Sequence, residues 1–432
     1  MVKRLFNYGV YLFLITFVFC LMYAPRFSQH NTLHLLFVVA FILLPFFYKS
    51  MLFICKKAVT LRFCGVFFIL SLISFLIAKL GGEDASMIAI VNVPIELCIC
   101  VILILGVMRW RKMNADNLID IIIISGIIQS IICCAMIALP GFRDAINELR
   151  LPYMDEKYIG WSSIRLLGYA DGLFHTTPIV QAVISILLLK KSEKKPYLFI
   201  FVITTMLSAL LNSRTSFVVW AMCFPFYFIY TTKRAKKRSV IYIGITALLF
   251  SSLMISLLNE NVGDAVDYFV SGMNEIDSAS KGKGEGFFED IGSWIVFPKG
   301  IDFFVGIGCD TYGKINNPEY HGIHTDYGFV NNIWTYGIIG TIIMVSLYYK
   351  TIKYTLKLNL EYKKIIFCTL LISFIIGHFK GIITSYNDFT VLLLLISSST
   401  VLDTTVPLKW TNLLFEIIEI QSIRRFFEMK RT

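Results

Sequence analysis

Ile88-Ala89-Ile90-Val91-Asn92-Val93-Pro94-Ile95-Glu96-Leu97-Cys98-Ile99-Cys100-Val101-Ile102-Leu103-Ile104-Leu105-Gly106-Val107-Met108 holds one acidic residue and no basic one, and it closes on Arg109, Arg111 and Lys112. At 1.5 Å per residue, about 20 such residues make a helix that crosses the ~30 Å hydrocarbon core of a bilayer with its backbone N–H and C=O groups paired internally. The same pattern recurs along the chain. Apolar runs lie at about 7 to 23, 32 to 48, 61 to 79, 88 to 108, 118 to 139, 175 to 189, 196 to 212, 216 to 231, 239 to 258, 327 to 349, 363 to 379 and 387 to 402. The expected fold is therefore an all-α polytopic membrane protein with about 12 transmembrane helices. Composition agrees, since only 16% of residues are charged, against roughly 25% in a soluble domain.

The charge pattern sets the orientation. Alternate connections carry 28 of the 40 Lys and Arg residues, among them Lys49, Lys56, Lys57, Arg109, Arg111, Lys190, Lys191 and Lys194. By the positive-inside rule those connections and both termini are cytoplasmic. The net charge of +11 is thus accounted for by orientation and headgroup contact, and nucleic acid is not an expected partner. Lys3 and Arg4 precede an apolar run from Tyr8 to Tyr23 that ends in Ala24-Pro25-Arg26 with no small-x-small cleavage site, so it reads as an uncleaved first span.

These runs divide the chain into residues 1-139 (helices one to five), 140-174 (a large exterior loop), 175-258 (helices six to nine), 259-326 (a second large exterior loop), 327-402 (helices ten to twelve) and 403-432 (a cytoplasmic tail). In the tail, Leu413, Leu414, Ile417, Ile420, Ile423 and Phe427 fall on one face of an amphipathic helix. Loops as long as the two exterior ones usually carry function. Within the second, Phe287 to Phe297 mixes aromatic and acidic residues as an interfacial segment does, either a lid over a lateral opening or an aromatic anchor.

Chemistry is expected on the exterior face. The Lys281-Gly282-Lys283-Gly284-Glu285-Gly286 run matches no nucleotide-binding loop, and a membrane-carried donor suits the chain better than a soluble one. The His321 and His324 spacing, with Glu319 and Asp326 nearby, has the residue types of a zinc or manganese site, but a polar loop produces such clusters by chance, and His321 reads rather as a candidate substrate contact. His324 or Asp326 is also a candidate general base for a sugar hydroxyl, and Asp326 reads equally as a helix cap. No HExxH or CxxC pattern is present, and neither a metal ion nor another cofactor is expected. Arg165 and Arg214 fall on the same exterior side, as headgroup anchors or as guanidinium groups that hold a diphosphate. Glu96, beside Asn92 and Pro94, reads as a buried hydrogen-bonded carboxylate, a proton or substrate group, or a catalytic carboxylate below an exterior cavity.

The order Ile164-Arg165-Leu166-Leu167-Gly168, Leu211-Asn212-Ser213-Arg214-Thr215, Val305-Gly306-Ile307-Gly308, His324-Thr325-Asp326-Tyr327-Gly328 and Tyr336-Gly337-Ile338-Ile339-Gly340 resembles the Wzy-type O-antigen polymerases of Gram-negative bacteria. The resemblance spans roughly Arg165 to Gly340 and the general span pattern. It implies a membrane glycosyltransferase (GT-C-like) architecture in the bacterial inner membrane, with both large loops periplasmic. Its substrates would be undecaprenyl-diphosphate-linked repeat units and the growing glycan, which passes to the non-reducing end of a new unit. A chain-length regulator is the implied partner, beside membrane lipid. The resemblance carries over Arg165, Arg214 and His324 as functional positions. The second loop, however, has no Arg, only Lys281, Lys283, Lys299 and Lys314, so an arginine pair spread over both loops lacks its second member. The related O-antigen ligases are approached by His324-Thr325 with Gly337 and Gly340, but Thr325 and the eleven-residue spacing depart from their pattern. A lipid-linked oligosaccharide flippase or transporter is the alternative outside the enzymes, with Glu96 as its midplane group.

Overall fold

The computed structural model describes residues 2–25, 32–83, 92–150, 170, 176–231, 295–311, 315–316, 318–320, 323, 325, 327–381, 384 and 387–404. For residues 2–6, 137, 140, 150, 211, 214 and 404 that description is of the main chain. The regular structure among these residues is helical, without a strand. In chain order the helices are α1 (Val2–Tyr23), α2 (Thr32–Lys57), α3 (Val59–Leu80), α4 (Val93–Trp110), α5 (Ala115–Ala138), α6 (Pro140–Arg150), α7 (Thr176–Ser192), α8 (Phe199–Asn212), α9 (Arg214–Ile229), α10 (Ile301–Val305), α11 (Gly328–Tyr354), α12 (Lys363–Lys380) and α13 (Asp388–Ser398).

Helices fall on eleven of the twelve expected apolar stretches. The remaining one, 239 to 258, lies outside the described residues, as does the amphipathic tail. By length and apolarity, α2, α3, α4, α5 and α11 are sufficient to cross a bilayer. Helix bounds differ from the expected runs where local chemistry intervenes. α2 continues through Lys49 to Lys57, because Lys is a good helix former and cations suit a helix C-terminus. α4 starts at Val93, with Pro94 in the first-turn position that tolerates a missing N–H, so Glu96 sits in the first turn rather than deep in the helix. The first eleven residues of the 140-174 loop form α6.

α13 is the hub of the bundle. Every residue from Asp388 to Ser398 is buried, and the helix packs on α1, α3, α4, α5, α7 and α11. A helix apolar all round is stable only when surrounded, and here protein surrounds it. α2 shows the opposite pattern, with Val38, Phe41, Ile42, Phe46 and Leu52 left outside the protein. In α11, Ile339, Ile342 and Ile343 are exposed in the same way. Apolar surface of this extent is a lipid-facing surface.

Contacts between helix termini define two ends. Lys191 near the end of α7 binds Asp116 (2.6 Å) and Asp120 (2.9 Å) at the start of α5, and the Tyr362 hydroxyl, just before α12, donates to Asp116. The Asp403 carboxylate, past α13, accepts from the Ala115 and Asn359 N–H groups. Asn114 and Asn117 close a reciprocal capping box at the start of α5. Thr60 of α3 meets Ser398 of α13. The end of α4, the starts of α3, α5 and α12, and the ends of α7 and α13 therefore share one end of the bundle, hereafter the basic end.

At the opposite end, the described residues of 295–311, 315–316 and 318–320 fold onto the first part of α11. Ile307, Ile315, Tyr320, Val330 and Trp334 form a second small core. The Trp334 indole donates to the Val296 carbonyl (2.8 Å), and Tyr320 meets the Trp334 ring edge-on. Ser74 of α3 donates to the carbonyls of Gly308 and Thr335. α11 is broken at Gly337, whose φ of 64° lies in the left-handed region. A side chain there would overlap the Phe304 carbonyl, so the missing Cβ is what lets α10 dock against the break.

Candidate functional site

Glu96 lies in the first turn of α4, where the unpaired N–H groups favour a carboxylate. Its side chain is 9% exposed. A carboxylate so placed needs a partner, and α2, packed along α4, supplies His34 from its own first turn. His34 Nδ1 stands 2.6 Å from both carboxylate oxygens. With Glu96 ionised, its carboxylate can only accept, and the contact then needs a proton on His34 Nδ1, which leaves Nε2 as the ring nitrogen turned away from Glu96. The His34 side chain is 33% exposed, so the imidazole is the half of the pair that a substrate can reach. A ring held by a carboxylate in one tautomer, with the other nitrogen basic, is the arrangement of a general base with its orienting group.

A second polar layer lies at the same end. The Asn332 amide on α11 shares a hydrogen bond with His378 Nε2 on α12 (2.8 Å), and the Thr384 hydroxyl donates to Asn332 Oδ1 (2.6 Å). Thr177 at the start of α7 donates to Asp388, the first residue of α13. Gln181 bridges Ser130 on α5 and Tyr23 on α1. Counted at 1.5 Å per residue from the last residues of α4, α7 and α13, Glu96, Thr177 and Asp388 stand roughly 21, 22 and 15 Å from the basic end, short of a ~30 Å hydrocarbon core. A layer at those heights falls within a core of that thickness that has the basic end at one face. Polar groups at that depth face a bundle interior or a cavity and are functional candidates by default.

The segment that carries His324 and Asp326 is anchored through its neighbours. The Asn331 carbonyl oxygen accepts from the Thr311 N–H (2.9 Å) and hydroxyl (2.7 Å), while its amide donates to the Thr325 carbonyl (2.7 Å). The Thr325 N–H donates to the Thr311 hydroxyl (3.0 Å), and the Thr325 hydroxyl accepts from the Tyr327 N–H (3.2 Å). The Thr325 hydroxyl thus makes a local turn onto the Tyr327 N–H just ahead of α11, and the N-cap residue Tyr327 itself makes no side-chain cap bond. His321, His324, Asp326 and Arg165 themselves lie outside the described residues.

Arg214 is the first residue of α9, and only its main chain is described. Ser213 caps that helix by accepting from the Thr215 N–H (3.2 Å). Ser216 donates back to the Ala209 carbonyl (2.8 Å), which closes the tight reversal between α8 and α9. This reversal lies at the end opposite the basic one. Among the described residues, no group of three or more His, Cys, Asp or Glu side chains is arranged to hold a metal ion.

Of the six candidates, Glu96 is the one whose side-chain geometry is on view, and it has brought in His34. The sequence carried a signal for that partner: a histidine in the first turn of an apolar run that the alternating topology starts at the same end as Glu96. Asn331, Asn332, Thr177 and Asp388 gave no comparable signal, because single polar residues at span ends are commonplace.

The fold and this recessed polar layer define a helical membrane protein. Comparison with protein-family models, with characterised proteins and with solved structures finds no match.

Proposed function

We propose that the protein is a polymerase of lipid-linked glycan repeat units of the Wzy type. It works at the periplasmic face of a bacterial inner membrane, with twelve spans in a GT-C-like arrangement and both termini cytoplasmic. The observation that carries this reading is the His34–Glu96 pair, a carboxylate-oriented imidazole recessed at the end opposite the basic one. A substrate whose reactive group rides on a membrane-embedded lipid diphosphate reaches such a depth more readily than a soluble one.

In this reading an acceptor sugar hydroxyl gives its proton to His34 Nε2 while Glu96 stabilises the imidazolium that forms. The hydroxyl oxygen bonds to the anomeric carbon of the growing glycan, and the bond from that carbon to the diphosphate breaks. The departing undecaprenyl diphosphate takes the bonding electrons, and Arg165 and Arg214 bind it. His321, His324 and Asp326 bind and orient the acceptor sugar. The scheme uses no metal ion. The test is ladder formation by purified protein in vesicles that contain lipid-linked repeat units, compared with the His34→Gln and Glu96→Gln variants.

The recessed position of Thr177, Asp388 and Glu96 also favours a second reading, a transporter of the lipid-linked unit with its site near the bilayer midplane. Relocation of the unit across vesicles without bond formation would select that reading.

A further inference from the structure

The basic end of α2 and α4 holds cations stacked on aromatic rings, and the two nearest each other have no counter-charge. The Arg109 guanidinium lies 3.3 Å from the centroid of the Phe53 ring, and Lys57 Nζ lies 4.6 Å from the same centroid. The two charges are therefore within about 8 Å of each other, the sum of those distances. Neither pairs with a carboxylate among the described residues. Arg109 Nη1 is sealed from solvent with no hydrogen-bond acceptor. Lys49 stands over Tyr48 one to two turns earlier on α2. Arg111 differs, because it donates to Asn7.

Cation–ring contact spreads each charge but does not neutralise it. With Lys57 exposed and Arg109 half-buried, the chemistry that meets two adjacent cations at this surface is a phosphate group. Beside them, Phe46, Leu52 and Trp110 are exposed apolar groups on the lipid-facing side of the same helices. We propose that Arg109 and Lys57, held by Phe53, form a binding site for the phosphate of an anionic phospholipid whose acyl chains lie along α2. A free phosphate would meet the same cations but would leave that apolar surface unused.

The test is native mass spectrometry of the full chain released from micelles that contain phosphatidylglycerol, phosphatidylcholine with matching acyl chains, or inorganic phosphate with neutral detergent. Protein that retains phosphatidylglycerol well above the other two is the expected result. At ~1.5 kcal/mol for each lost charge-assisted contact to the phosphate, removing both cations in Arg109→Gln/Lys57→Gln lowers that retention more than about a hundredfold. Lys350→Gln/Lys353→Gln removes the same charge from exposed positions on α11 and forfeits at most the general surface attraction of ~1 kcal/mol per residue, a loss several times smaller. Phe53→Leu keeps both charges, removes the ring that aligns them, and lowers retention without altering net charge. Equal losses in the two double variants would reduce the site to general surface charge and overturn the proposal. So would equal retention of phosphatidylcholine, full displacement by inorganic phosphate, or unchanged retention in Phe53→Leu.

Discussion

Replacing Lys191 with Met keeps a side chain of similar length and deletes the charge that Asp116 and Asp120 share. In the native protein the ammonium lies 2.6 Å from one carboxylate and 2.9 Å from the other, with side-chain exposures of 13% for Lys191, 27% for Asp116 and 5% for Asp120. Removing one partner of a buried ion pair costs about 3–5 kcal/mol, because the other charge stays buried and unpaired. Here two carboxylates lose their cation, and Tyr362, which bonds to Asp116, is the neutral donor left beside them. For a chain of this size that loss is expected to lower the apparent Tm in detergent by roughly 5 °C, extending downward the dependence of Tm shift on chain length. The assay is thermal unfolding of the wild type, Lys191→Met, Asp116→Asn/Asp120→Asn and the triple variant. Replacing a whole buried ion cluster by neutral groups is often near neutral, so the triple variant should recover most of the loss. A Tm within 1 °C of wild type for Lys191→Met, or no recovery in the triple variant, would refute the view that this cluster fastens α5, α7 and α12 at the basic end.

Three further outcomes are expected. Gly337→Ala forces a Cβ onto the Phe304 carbonyl at a left-handed backbone position; a strained conformation of that kind costs of order 1–3 kcal/mol, so proteolysis near residues 295–311 should quicken in the variant. Burial, with help from Glu83 and Asp310, pushes the Cys309 thiol up to about 12, so it stays protonated at pH 8; maleimide labelling should be slow there and rise with pH well above the range where an ordinary thiol at ~8.5 is already reactive. Glu96→Gln and His34→Gln should each slow glycan extension by ~10²–10⁴ while leaving the protein folded by circular dichroism, and equal rates in variant and wild type would remove the pair from the mechanism.

The helical membrane class was legible in the sequence because spanning a bilayer imposes a length and an apolarity that few other constraints produce. The helix ends were less legible. Lys49 reads as a connection yet sits inside α2, since a snorkelling lysine is compatible with a helix that continues past the hydrocarbon. The break at Gly337 was hidden because an isolated Gly inside an apolar run is common, and only the close approach of Phe304 makes it necessary. Within the candidate site, Glu96 stood out as an acidic residue in an apolar run; the alternating topology starts the His34 run at the same end, but only the packing of α2 on α4 pairs the two across 62 positions. The Thr311–Thr325–Asn331 network is equally a product of tertiary contact, built from residue types that are ordinary in any loop.

The central claim is tested most directly by giving purified full-length protein, in vesicles, a defined undecaprenyl-diphosphate-linked repeat unit as the sole glycan substrate and separating the products by size. The account predicts a ladder of glycans that grows by one repeat unit per step, remains on the lipid diphosphate, and is lost or sharply slowed in His34→Gln. Wild-type protein that leaves the unit unextended, whether or not it moves it across the membrane, would contradict it.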